Sequence, residues 1–220
     1  MATVNAVRDK MVAAGVRLLE RDGLSALSAR SVATEAGTST MALYTHFGGM
    51  TGLLDAVAVD VFHRFTEALT GVPRSDDPVA DFLMMGLAYH RFALANPARY
   101  QLIFGAASPE SIARFRTDIT ETGSATNRAE WAASFGALHG AVHRMMAAGR
   151  IRQDDELAVA GRLWSINHGA VMLEMAGFFG HEGHGLAQIL GPLIIDTLVG
   201  MGDDRDAAVR SMHAVLTQNS

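Results

Sequence analysis

Between Ser39 and Phe47 the chain reads Ser-Thr-Met-Ala-Leu-Tyr-Thr-His-Phe. Hydroxyls, a thioether, a phenol and an imidazole crowd into this short run. Ser and Thr hydroxyls can hydrogen-bond to several base edges, and a methionine can touch a thymine methyl. A tyrosine hydroxyl or an imidazole suits the oxygens of a phosphate. Thr40 and Tyr44 lie four residues apart, on one face of a helix, with Thr45 and His46 flanking that face. Thr40, Met41, Tyr44, Thr45 and His46 thus carry groups able to meet a partner, nucleic acid among them. Ser39 joins them because a helix N-terminus presents free N–H groups. Ser28 and Arg30, opening the preceding helix, can reach a nucleic-acid backbone. A second reading stays open, in which Tyr44 and His46 pack under the following helix. Leu43 and Phe47 are assigned to the core.

Other reactive residue types lack useful arrangements. There is no cysteine, which excludes disulfides and thiolate chemistry. His139 and His143 stand four apart on one helix, and His181-Glu182-Gly183-His184 lies in a glycine-rich stretch. Neither has the matching Cys or carboxylate set of a zinc site, and the second lacks the spacing of a zinc-protease helix. No phosphate-binding glycine loop, Gly-x-Ser-x-Gly turn or paired-acid constellation occurs. The residues predict no enzyme, no metal and no cofactor.

The 220 residues are 49% hydrophobic, enough for a sizeable core. The net charge of −5 at first disfavours nucleic acid, but it is unevenly spread. Residues 1–50 hold five basic side chains (Arg8, Lys10, Arg17, Arg21, Arg30) against four acidic ones (Asp9, Glu20, Asp22, Glu35), so the acidic excess lies in the remainder. A neutral-to-basic module on an acidic body is compatible with DNA binding. Lysine occurs once and arginine 17 times, which reads as a GC-rich coding bias rather than a binding signal. The N-terminus is interrupted by Arg8, Asp9 and Lys10, unlike a signal peptide. The most apolar tract, Leu186 to Met201, contains Gln188, Pro192 and Asp196 and falls short of the ~20 apolar residues of a membrane span. A soluble, cytoplasmic protein with no membrane partner is expected.

The elements that must position these residues are helical. Val7, Met11, Ala14 and Leu18 repeat on one face of a helix from Val4 to Arg21, stopped at Asp22-Gly23. Ser28 caps a short helix through Glu35, Gly37 breaks the chain, and Ser39 caps a third helix that ends before Gly48-Gly49. Leu54, Val57, Val61, Phe65 and Leu69 line a long helix ending at Gly71. Phe82, Met85, Tyr89 and Phe92 line the next, which ends at Asn96-Pro97. A polar helix is expected over 111–122, long helices over 126–149 and 155–177, and a loop over 180–185. An apolar helix over 186–199 and an amphipathic one over 204–216 complete the set. Pro192 predicts a kink or break near Gly191. No strand alternation and no repeat stand out. The fold class is all-α, with short helices first and a bundle of longer ones after.

Ala33, Gly37 and Leu43 have the spacing of a helix-turn-helix. A small residue sits where the second helix crosses, a glycine makes the turn, and an aliphatic residue anchors the second helix. Residues 8–54 resemble the DNA-binding domain of TetR-family transcriptional regulators. The run Leu43-Tyr44-Thr45-His46-Phe47 is similar to that family's hallmark of aliphatic, tyrosine, any residue, His or Tyr, phenylalanine. The resemblance implies a homodimer whose two recognition helices enter successive major grooves. One departure is Met50, where the family commonly has a lysine that clamps a phosphate. Backbone N–H groups of Gly48 and Gly49 offer a substitute.

Two further stretches, Asn96 to Gly105 and Leu163 to Glu174, resemble the C-terminal domain type named for Trp-His-Gly, here Trp164, His168 and Gly169. Gly161 and Gly169 are expected to permit close helix approach. The resemblance implies a pocket for a small-molecule effector, with Phe62, Phe65, Met85, Tyr89, Phe92, Phe104, Trp131, Phe135, Trp164, His168 and Met172 as candidate lining. Helices 155–177 and 186–199 are expected to pair with their symmetry mates.

The expected organisation is a helix-turn-helix domain over 1–50 and a ligand-binding and dimerisation domain over 51–220. The expected function is a DNA-binding regulator, a repressor released from operator DNA by an apolar effector. An activator, a ligand-free DNA-binding factor, or a helical binding protein without a DNA role are the alternatives.

Overall fold

The first helix, α1 (Ala2–Asp22), buries Met11, Ala14, Leu18 and Leu19 and stops at Gly23, whose φ of 80° a side chain would resist. The computed structural model describes residues 2–105, 108–180 and 183–218. Next comes α2 (Ala29–Glu35), opened by a reciprocal cap. Ser28 Oγ accepts from the Ser31 N–H, and Ser31 Oγ accepts from the Ser28 N–H at 2.9 Å. After α2 the Thr38 N–H reaches back to the Ala33 carbonyl at 2.9 Å, with Gly37 at φ 65°. That left-handed residue turns the chain into α3 (Thr40–Phe47), whose cap is Ser39 accepting from the Ala42 N–H at 3.2 Å. Gly48, at φ 70°, ends α3.

The long helix α4 (Met50–Thr70) buries Val57, Val61, Phe65 and Leu69. Leu53, rather than the neighbouring Leu54, is its fully buried leucine. Its start lies so close to α3 that a Cβ at Gly52 would collide with the Phe47 carbonyl oxygen. A cap by Asp77 opens α5 (Pro78–Ala95), its carboxylate accepting from the Val79 and Ala80 N–H groups. The Asn96-Pro97 pair ends α5 and also starts another helix, α6 (Pro97–Phe104). Proline is tolerated at a first helical position because its missing N–H would have no partner there.

The single polar helix expected over 111–122 is two four-residue helices, α7 (Glu110–Ala113) and α8 (Ile119–Thr122). Thr117 diverts the chain between them. Its N–H donates to Ala125 O and its hydroxyl to Ser124 O at 2.6 Å, while Asp118 caps the restart. Then follow α9 (Ala129–Ala147) and α10 (Glu156–Met175), the latter capped by Asp155. Near Pro192 the backbone stays helical but changes hydrogen-bonding pattern. A π-helical segment (Gly185–Leu190) passes into α11 (Gly191–Gly200), with Gly191 at φ −59° and ψ −55°. The proline thus falls where its absent N–H matters least. Last comes α12 (Arg205–Gln218). Among the described residues there is no strand, only an isolated bridge between Arg116 and Thr126. No described helix is long and apolar enough to cross a membrane.

The chain divides into two compact units, with α4 contributing to both. One contains the chain up to Arg64, with Ala95–Arg116 and Thr126–Trp131. Its core gathers Met11, Leu19, Val32, Leu43, Leu53, Val57 and Tyr100, and an Arg99–Glu20 ion pair ties α6 to α1. The other contains Phe65–Leu94, Thr117–Ala125 and the chain from Ala132 on. There Arg150 forms a fork on Asp203 (2.8 and 2.9 Å) and reaches Asp77 at 2.7 Å, while the Ser211 hydroxyl donates to Asp77. Burial pushes the Asp77 carboxyl up. The Ser211 hydroxyl, the Ala80 and Val79 N–H groups and the Arg150 charge outweigh that, and hold it below the usual carboxylate range.

Candidate functional site

The capped α3 sets which of its side chains face solvent. Leu43 is fully buried beneath it, and Thr40, Met41, Tyr44 and Thr45 are exposed, Met41 by 71% and Tyr44 by 58%. Tyr44 therefore does not pack under the next helix, while His46 and Phe47 are half-buried and meet edge to face at 6.4 Å. The Thr45 hydroxyl donates to the Met41 carbonyl at 3.0 Å. That leaves its oxygen to accept and its methyl to make apolar contact. Ser28 and Ser39 are exposed, but their hydroxyl oxygens are occupied as caps. Their first duty is to hold α2 and α3 in place. The Gly48 N–H is spent on the Tyr44 carbonyl at 2.9 Å, so it is not a free donor for a phosphate.

The charges of this unit are divided into spent and available. Arg17 and Arg21 both bond Glu35, at 2.9 and 3.4 Å, and Arg21 also bonds Asp22. The Arg17 guanidinium, with Arg21 beside it, holds Glu35 below the usual carboxylate range. Arg30 is exposed at the start of α2, on a shallow groove it shares with Arg21, Ser28 and Thr34. Among the described residues, Arg8, Lys10 and Arg30 form no ion pair.

The candidate effector residues fall into both units. In the first, Phe62 stacks on Trp131 at 4.6 Å and meets Phe104 edge-on at 5.8 Å. In the second, Phe65 packs against Tyr89 and Phe92, at 5.1 and 5.2 Å, with Met85 also buried. There too Phe135 and His168 each meet Trp164 edge-on, and His168, Trp164, Phe135 and Met172 are half-buried. Tyr89 connects the two clusters of this unit. Its hydroxyl lies 3.1 Å from His168 Nδ1 and accepts from the Trp164 indole N–H at 3.4 Å.

Periodicity missed two polar contacts whose partners are far apart in sequence. His90 Nε2 donates to Glu174 Oε2 at 2.7 Å, and both side chains are buried. His139 and His143 do find a carboxylate, because Glu156 meets both imidazoles at 2.9 and 2.7 Å. The His143 hydrogen bond is the main reason the Glu156 carboxyl sits below its usual range. Among the described residues no group of three or more His, Cys, Asp and Glu is arranged to hold a metal ion. His181 and Glu182 lie outside the described residues. Gly161 and Gly169 were expected to admit a neighbouring helix; among the described residues, no atom beyond their own stretch of helix lies within 4 Å of where their Cβ atoms would be.

Two family models match this chain. The model for bacterial regulatory proteins of the tetR family covers residues 11–57, and that for a tetracyclin repressor-like C-terminal domain covers residues 82–198. The second alone spans more than half of the chain. The chain belongs to the TetR family.

Several other proteins resemble it along much of their length. An uncharacterized HTH-type transcriptional regulator of Mycobacterium tuberculosis, Rv0681, is 28% identical over 176 residues, 77% of this chain and 71% of the relative. A second HTH-type regulator of that organism, Rv1816, is 27% identical over 157 residues, and this chain covers 62% of its length. The structure of a protein with unknown function from Rhodococcus sp. RHA1 superposes with a TM-score of 0.70 at 25% identity, covering 90% of this chain and 96% of that one. RolR in complex with resorcinol shares the fold, with a TM-score of 0.62 at 15% identity over 95% of this chain and 96% of RolR.

Proposed function

We propose that this TetR-family protein is a homodimeric, cytoplasmic repressor that binds operator DNA through α3 and releases it when an apolar small molecule binds. The observation that carries the DNA reading is the exposure of Met41 and Tyr44 on a capped, rigidly seated helix. Met41 and Tyr44 stand one turn apart beside exposed Thr40 and Thr45, so the helix presents a continuous face of apolar and hydrogen-bonding groups that supports docking to a partner. In this reading Thr40, Met41 and Thr45 meet base edges, Tyr44 and His46 meet phosphates, and Ser28, Arg30 and Ser39 approach the backbone. Residues 1–50 form the DNA-binding domain and 51–220 the regulatory one.

The second unit supplies the regulatory half of the proposal. Half-buried Trp164 and His168 flank the Tyr89 hydroxyl, Phe135 meets Trp164 edge-on, and Met172 is half-buried on the same helix as His168, a mixture suited to an apolar ligand carrying a few polar groups. RolR, which has the same fold, holds resorcinol, a small aromatic ligand. Trp164 and His168 also support assignment to the Trp-His-Gly type. Exposed Leu173, Phe178, Ile189 and Leu193 on and around α10 and α11 support pairing with a second copy. The effector's leverage equals its differential affinity for the DNA-binding and released states, with α4 as the connecting rod.

Footprinting the purified protein on the DNA flanking its own coding sequence tests the proposal. A protected palindrome, lost on adding effector, is the expected result. Failure to protect any flanking DNA, with no effect on transcription from it, would contradict the repressor reading.

A further inference from the structure

We propose that Arg8 of α1 is a further DNA-backbone contact, held beside the recognition helix by the ring of Phe47; the inference rests on the DNA-binding reading of α3. The Arg8 guanidinium carbon lies 5.4 Å from the centre of the Phe47 ring, within the range of a cation–π contact. Phe47 is the last residue of α3, so the contact fixes a positive charge at the end of the helix that carries Thr40 to His46. His46 meets the other partner in this contact, its ring 6.4 Å from that of Phe47.

Three further observations single out Arg8 among the basic residues of the first unit. It is exposed, so its donors can reach a ligand. It forms no ion pair among the described residues, unlike Arg17, Arg21 and Arg99, whose charges are spent on Glu35, Asp22 and Glu20. Its guanidinium lies over an aromatic ring, whereas Arg30 and Lys10 make no such ring contact among the described residues. A guanidinium stacked on a ring keeps its edge N–H groups free, and that edge matches the oxygens of a phosphate. The neighbouring helix start offers only Met50 at its first position, an uncharged side chain. Arg8 therefore brings to the α3–α4 corner the cation that the corner itself lacks.

The test is the salt dependence of binding to a duplex that the wild-type protein has itself selected from random-sequence DNA. Each phosphate neutralised adds about 0.9 to the slope of log K against log salt. Arg8→Ala should lower that slope by about 1.8 per dimer and weaken binding roughly 10-fold at moderate salt, with an unchanged circular dichroism spectrum. Arg17→Ala removes an equal charge from the same helix, but one already committed to Glu35, and should leave the slope nearly unchanged. Met50→Lys added to Arg8→Ala should restore the slope. A slope unaffected by Arg8→Ala, or lowered equally by Arg17→Ala, would overturn the contact while leaving DNA binding intact. A wild-type protein that selects no duplex would instead overturn the DNA-binding reading beneath it.

Discussion

Tyr44→Ala is expected to weaken operator binding about 100-fold while leaving fold and dimerisation unchanged. Two copies of the side chain act in a dimer, and each lost hydrogen bond to a charged group costs about 1.5 kcal/mol. Because the side chain is 58% exposed, its removal leaves no cavity. The drop should appear as a shift of the binding curve in fluorescence anisotropy, against an unaltered thermal midpoint. Tyr44→Phe separates the two parts of the contact: loss equal to that of alanine assigns the effect to the hydroxyl. Binding by Tyr44→Ala that matches the wild type would remove Tyr44 from the interface.

The largest expected effect on stability lies in the other unit. Arg150→Met leaves Asp203, whose side chain is 2% exposed, as a buried carboxylate without its bidentate partner. Breaking such a pair by removing one member costs about 3–5 kcal/mol, because the remaining charge is stranded. The urea midpoint at neutral pH should fall accordingly, and Asp203→Asn in the same chain should recover part of the loss. The pH dependence follows from Asp77. Its folded carboxyl titrates below its ordinary range, so its contribution is complete above the unfolded value of about 3.9 and is lost as pH falls through the lower folded value. The wild type should therefore lose stability below about pH 4, in the range where Asp77 takes up its proton. A variant as stable as the wild type at pH 7 would show that the network contributes nothing.

The helix-turn-helix was legible because its determinants are local. Ser28, Ser39, Gly37 and Gly48 act within a turn or two of their own positions, and all four do in the structure what their types predict. The segment after Pro109 was not legible, because Thr117 and the strand-like bridge at Arg116 depend on partners seven or more residues away. Pro97 misled in a different way: the same residue that ends one helix is well suited to begin the next. Around Pro192 the sequence signalled trouble, and the π-helical segment shows how a helix absorbs it without breaking.

The recognition face was legible only in part: periodicity put Thr40 and Tyr44 on one side of α3 but left open whether Tyr44 and His46 pack under the following helix, and the structure has Tyr44 exposed and His46 half-buried. The effector residues could not be sorted that way. An aromatic stripe looks the same whether it is core or cavity wall. Only the structure separates Phe65 and Tyr89, well buried, from Trp164 and His168, half open. The His90–Glu174 pair and the Glu156 bridge to two histidines were invisible for a simpler reason. A carboxylate gives no hint in sequence of which distant imidazole it will meet.

In the proposed function, paired α3 helices read a two-fold DNA site. Selection by the purified protein from a random-sequence duplex library measures this directly. An enriched inverted repeat with half-site centres one helical turn apart, about 34–36 Å, is expected, and it should be lost when Tyr44→Ala protein performs the selection. Enrichment of no common sequence, or the same sequences recovered by wild type and Tyr44→Ala, would contradict it.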